Sequence, residues 1–243
     1  LATAILPTLS AQAARGALDE LRTTIGFGLR MIFFIILPAM AGLILLRYPI
    51  VHLVFEHGSF TKTDTLATAT ALLCYAVGLW AFAGVRIIVS AFYSLQDTRT
   101  PAITAGIAVG ANIGLSLWLM TILDAAGLAL ATALASMLNG SILVAVLHRR
   151  LGRVDWGAVV RSAGRVLAAS IPMAGICLWV ASAPLWMETG QWIVKSVMLF
   201  GGIGFSVIAY LGMHLMLGSD ELDVVMGLVK RKLGRVARKF GVA

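Results

Sequence analysis

The chain has 243 residues, of which 60% are apolar and only 12% charged, and its formal net charge is +8. Soluble domains carry about 25% charged residues, so an ordinary soluble enzyme and a disordered tail are excluded and a protein dissolved in lipid is indicated. The basic residues lie in patches between apolar runs, which points to a membrane surface as partner and not to nucleic acid.

Residues 1–25 read as the end of one helix followed by a polar cytoplasmic connection. The first residue is Leu1, with no basic-then-apolar signal pattern, and the chain is expected to be the C-terminal part of something longer. Six runs are then long enough to cross about 30 Å of hydrocarbon as helices. They cover about 26–46, 66–95, 102–121, 127–147, 163–183 and 192–217. Strands are excluded because the runs are continuous and too long for a barrel. The fold class is therefore all-α, a polytopic bundle of six transmembrane helices. Its parts are four spans over 26–147, a basic loop over 148–162, two further spans over 163–217 and an amphipathic basic tail over 218–243.

Loop charges orient the bundle. Most of the nineteen basic residues fall at 1–30, around Arg99, at 149–165 and in the tail, all on one side. Arg47, Lys62 and Lys195 fall on the other. The positive-inside rule places both ends of the chain and the arginine-rich loop in the cytoplasm. The tail repeats Val224, Val225, Leu228 and Val229 at helical spacing, which fits either a helix lying on anionic lipid or a solvated extension of the last span.

Polar groups inside the runs are few. Arg86 lies about ten residues from the cytoplasmic end of the second run, roughly 15 Å deep at 1.5 Å per residue. It faces a water-filled cavity that attracts an anionic substrate, or it snorkels or pairs with a carbonyl. Asn112 and Ser116 sit one turn apart in the third run, and Thr132 lies at similar depth in the fourth if the two are antiparallel. Ser136 and Asn139 share the Thr132 face. These oxygens suit a monovalent cation site or interhelical hydrogen bonds. Gly106, Gly110 and Gly114 make a bare face on the third run, expected to pack closely on Gly127, Ala131 and Ala135 of the fourth. Lys195 and His214 read as interface anchors. His52, Glu56 and His57 read as a solvated outer loop without metal-ligand spacing. Pro38 and Pro172 bend the first and fifth runs. Cys74 and Cys177 lie in apolar segments and read as small buried residues, not as a disulfide. No metal site and no catalytic constellation appears, so the chain does not read as an enzyme.

Three stretches go beyond composition. They are LATAILPTLSAQAARG into FGLRMIFFIILPAMAGL, PIVHLVFEHGSFTKTDT into YAVGLWAFAGVRIIVSAFYSLQDTRTP, and AGLALATALASMLNGSILVAVLHRR. Over about residues 1–150 their order and spacing resemble the MurJ (MviN) family of lipid II flippases. The resemblance implies fourteen transmembrane helices in a MATE-like exporter (MOP) fold. Two six-helix lobes flank a cavity, and two extra helices carry a lipid-facing groove. This chain would supply the end of helix 8 and helices 9 to 14, that is, the second lobe plus the extra pair. The implied activity is movement of the undecaprenyl-pyrophosphate-linked peptidoglycan precursor, lipid II, across the bacterial cytoplasmic (inner) membrane by alternating access. The implied partners are lipid II, membrane lipid and the missing N-terminal lobe, without which the chain is expected to be inactive. No cofactor is implied beyond coupling to a monovalent cation, Na+ or H+. Arg86 matches a basic position of the family. Asn112 and Thr132 match positions linked to a cation site in some members, whereas Ser116 stands where those members have an acid. The alternatives are a related exporter of drugs or polysaccharide-lipid and a non-transporting membrane scaffold.

Overall fold

The computed structural model describes residues 2–152, 154–188, 190–219, 221, 222 and 227. The amphipathic tail expected over 218–243 lies almost wholly outside them. The elements run α1 (Ala2–Ala14), α2 (Leu18–Leu45), α3 (Arg47–Phe55), α4 (Lys62–Ala76), α5 (Leu79–Ser94), α6 (Arg99–Leu151), α7 (Trp156–Ala181), a 3-10 turn (Pro184–Met187) and α8 (Trp192–Leu217).

Among the described residues, five helical stretches are long and apolar enough to cross a membrane: α2, α4 with α5, α6, α7 and α8. The third and fourth expected spans are both in the 53-residue α6, whose helical path breaks at Asp124, with φ 47° and ψ −130°. The two halves fold back on each other. Leu119 lies against Gly127 so closely that a Cβ on Gly127 would collide with the Leu119 carbonyl, and Asn112 reaches Thr132 across the hairpin.

Other boundaries differ from expectation for physical reasons. α2 starts at Leu18, ahead of its apolar run, because Asp19, Glu20 and Arg22 form polar first turns where water solvates them. α7 likewise begins at Trp156, with the Asp155 carboxylate accepting the Ala158 N–H as N-cap. The long second run is divided between α4 and α5 at Val77 and Gly78. A Cβ on Gly78 would come within 2.7 Å of Ala133, so glycine lets this break lie directly on α6. Upstream, Thr61 and Asp64 form a capping box that starts α4.

Two buried cores hold the helices together. One joins Leu9 of α1, Leu21 and Leu29 of α2, Phe92 of α5 and Leu143 and Leu147 of α6. The other joins Phe34 and Leu37 of α2 with Val166 and Met173 of α7, Trp186 of the turn and Leu199 and Tyr210 of α8. α2 belongs to both, so it is the shared spine. The opposite surfaces remain apolar: Ile113, Leu117 and Trp118 on α6, Trp179 on α7, and Phe200, Phe205 and Ile208 on α8 are all exposed. Helices apolar around the whole circumference need lipid as solvent. The chain is thus a polytopic helical membrane protein.

Polar ties join segment ends at both ends of the bundle. At the arginine-rich end, Arg22 donates to the Leu151 carbonyl and Arg150 pairs with Asp97 at 2.6 Å. Glu221 accepts the Ser162 hydroxyl at 2.8 Å and lies 3.8 Å from Arg30. At the other end, Lys62 donates to the Met187 carbonyl at 3.3 Å.

Candidate functional site

Arg86 projects from α5 into a cavity of about 330 Å3 that also takes in both halves of the α6 hairpin. The first half contributes Asn112, and the second contributes Thr132, Ser136 and Asn139. The close approach at Gly127 positions this wall, because it brings the two halves into register. The Asn112 amide donates to the Thr132 hydroxyl at 3.5 Å, and the Asn112 carbonyl accepts the Ser116 hydroxyl at 2.9 Å. Thr132 in turn donates to the Leu128 carbonyl at 2.9 Å. The Asn139 side-chain oxygen is buried and has no partner among the described residues. Arg86 is exposed to the cavity, and among the described residues no carboxylate pairs with it. An unpaired guanidinium with amides and hydroxyls suits an oxyanion, which it can grip through two parallel N–H donors.

The structure therefore gathers Arg86, Asn112 and Thr132 at one cavity, with Ser116 attached through Asn112. These oxygens are neutral and no carboxylate is among them. An ion stripped of water inside a membrane needs a charged or fuller oxygen shell than these described oxygens alone make.

The glycine face differs from expectation. Gly106, Gly110 and Gly114 are exposed, and a Cβ on any of them would meet nothing within 4 Å. The hairpin closes instead through Gly127 and Leu119 with buried Ala108, Ala131 and Ala135. Spacing alone does not say which face of a helix turns inward, and here the stripe next to the glycines does.

A second cavity, apolar and of about 410 Å3, lies between α2, α7 and α8. Phe34, Pro38, Gly42, Met173, Ser206 and Tyr210 are among its walls. Cys177 is buried there and Cys74 is half-buried in α4; both are free thiols.

Sequence reasoning missed one polar group altogether. His52 and Glu56 do not lie in a solvated loop: residues 47–55 form α3, and His52 is buried against Lys195 of α8. Lys195 is likewise not an interface anchor but only 3% exposed. The available signal was the i, i+4 spacing of His52 and Glu56, which puts both on one helical face.

A family model described as "Lipid II flippase MurJ" matches residues 1–200. Among curated relatives, the probable lipid II flippase MurJ of Vibrio cholerae is 33% identical over 225 residues, covering 92% of this chain and 43% of that protein. The probable lipid II flippase MurJ of Rhizobium meliloti is 32% identical over 243 residues, covering 95% and 44%. A solved structure of lipid II flippase MurJ in an inward closed conformation superposes with TM-score 0.67 at 23% identity, covering 90% of this chain and 43% of that one. It shares the fold. The chain spans less than half the length of these relatives. With the family model matching most of the sequence, the chain belongs to the MurJ family of lipid II flippases.

Proposed function

We propose that this chain is the second-lobe part of a lipid II flippase of the bacterial cytoplasmic membrane. The whole protein moves the undecaprenyl-pyrophosphate-linked disaccharide-peptide from the inner to the outer leaflet for cell-wall synthesis. The match of residues 1–200 to the family carries this reading, and the anion-suited cavity around Arg86 supports it. Arg86 receives pyrophosphate oxygens, while Asn112, Thr132 and the free oxygen of Asn139 meet polar groups of the head. The apolar cavity beside Pro38 suits the prenyl tail, which stays in a hydrocarbon environment. No bond is made or broken, so the protein is a transporter and not an enzyme. A preceding lobe supplies the opposite wall of the cavity. The two lobes rock, and only differential binding of the head in the two states biases the change. No step is routed through Na+ or H+ at Asn112, Ser116 and Thr132. The arginine-rich end, by the loop-charge rule, lies in the cytoplasm.

The test is expression of the complete gene product in cells depleted of their own flippase. Rescue of growth with export of lipid-linked precursor is expected, and this chain alone should not rescue. Arg86→Ala should reduce export at least about tenfold, since a lost charge-assisted hydrogen bond is worth more than the ~1.4 kcal/mol of one decade. A complete product that does not rescue would favour a related exporter with another lipid-linked or drug substrate.

A further inference from the structure

A cluster of buried ionisable groups lies away from the Arg86 cavity, at the end of the spans opposite the arginine-rich loop. Lys195 is in the first turn of α8, and its Nζ stands 2.8 Å from His52 Nε2. It also donates to the Glu188 carbonyl at 2.6 Å. The other ring nitrogen of His52, Nδ1, lies 2.6 Å from Glu56 Oε2, and the same carboxylate oxygen accepts the Thr65 hydroxyl at 2.8 Å. Tyr48 stacks on the imidazole and Trp186 meets it edge-on. α3 and α4 thereby meet α8 and the 3-10 turn.

The distances limit the proton count to at most one positive charge between His52 and Lys195. At 2.8 Å, one of the two nitrogens between His52 and Lys195 must offer a lone pair. An ammonium on Lys195 requires a neutral imidazole, whose single proton then sits on Nδ1 and is donated to Glu56. An imidazolium on His52 requires a neutral amine. In each of these two charged arrangements His52 and Lys195 share one positive charge, and the Glu56 carboxylate cancels it. One further proton would set two N–H donors and two positive charges against each other in a buried place.

We propose that Lys195, His52 and Glu56 form a proton-binding latch, which holds the start of α8 against α3 and opens that contact when one more proton binds. The other charged groups facing it act in the same sense. Burial pushes the Glu56 carboxyl up, but hydrogen bonds from Thr65 and His52, with the charges of His52 and Lys62, outweigh burial and hold it below its ordinary value. Glu56 therefore stays an anion at neutral and mildly acidic pH. Burial, and then the Glu56 charge, push the Tyr48 hydroxyl up, so it stays neutral there. The Glu188 carboxylate is engaged by the Gln191 amide at 3.2 Å, and Lys62 ties to the Met187 carbonyl. Neither replaces the His52–Lys195 contact.

The latch is independent of what the protein transports, so the readout is conformational. The complete gene product is reconstituted in liposomes with spin labels at Phe55 and Trp192, which are 52% and 69% exposed and flank the latch. Between about pH 8 and about pH 5 the wild-type label pair should pass from a narrow distance distribution to a longer, broader one. His52→Gln keeps an acceptor for Lys195 that does not titrate, and should stay narrow throughout. Lys195→Met removes the second positive charge and should give one distribution at both pH values. A wild-type distribution that does not change over this range overturns the proposal without any substitution in the latch. An undiminished pH response in His52→Gln also overturns it, because the proton would then bind elsewhere.

Discussion

Tyr210 donates its hydroxyl to the Phe34 carbonyl at 2.7 Å inside the second core. That bond matters because it ties α8 to α2 where little else there is polar. Tyr210→Phe keeps the ring and removes the donor, and should lower stability by about 0.5–1.5 kcal/mol, read as a lower melting temperature in detergent. Asp97 carries a pH dependence. Hydrogen bonds from the Thr100 hydroxyl and N–H, with the Arg150 charge, outweigh burial and hold its carboxyl below the ordinary value of 3.8. A carboxyl depressed by folding stabilises fully above its unfolded value and loses that contribution as pH falls through its folded one. The melting-temperature gap between wild type and Asp97→Ala should therefore be constant above about pH 4 and close below it. At this scale the sequence was unevenly legible. Arg86, Asn112, Ser116 and Thr132 stand out because polar groups inside an apolar run are costly. His52 and Lys195 do not, because each lies at the end of a run, where polar side chains are ordinary, and their contact spans 143 positions of sequence.

The helices themselves are legible wherever the apolar run is long, since length against bilayer thickness decides the matter. α8 coincides with its run at 192–217, and α2 and α7 follow the rule but begin eight and seven residues ahead of their expected runs. α3 does not, because nine residues are too few for a span and its ring of Tyr48, His52 and Trp186 forms only in the folded state. The α6 hairpin gives the sharpest contrast between position and residue type. Gly127→Leu must drive the hairpin apart and should prevent stable folding, read as loss of a monodisperse peak in detergent. Gly110→Ala meets open space and should be neutral or stabilising by up to about 1 kcal/mol, because alanine costs the helix less backbone entropy than glycine. Equal destabilisation by both substitutions would contradict the orientation of the first half of α6.

At the scale of the molecule, the polar ties sort the loops into two ends. Arg22, Arg30, Asp97, Arg150, Ser162 and Glu221 tie loops at one end, and Lys62, His52 and Lys195 at the other. Each of these ties joins segments that an up-and-down path of the apolar helices, with α6 folded back at Asp124, puts on the same side. A membrane-impermeant thiol reagent should label Thr61→Cys and Glu188→Cys in intact cells when Cys74 is replaced by Ser. Thr98→Cys and Gly157→Cys should be labelled only after permeabilisation. Labelling of all four from outside would refute a single transmembrane arrangement.

α2 has a mechanical consequence. It runs through both cores as one helix of 28 residues, about 42 Å long at 1.5 Å per residue, with Pro38 near one end. Twenty residues separate Pro38 from Leu18, an arm of about 30 Å. A tilt of roughly 10° about the proline would sweep the far end through about 5 Å, a full turn of helix. α2 is thus a lever whose long arm carries α7 and α8 near Pro38, at Phe34 and Leu37, and α1, α5 and α6 farther out, so a small tilt near the proline grows toward the opposite face of the membrane.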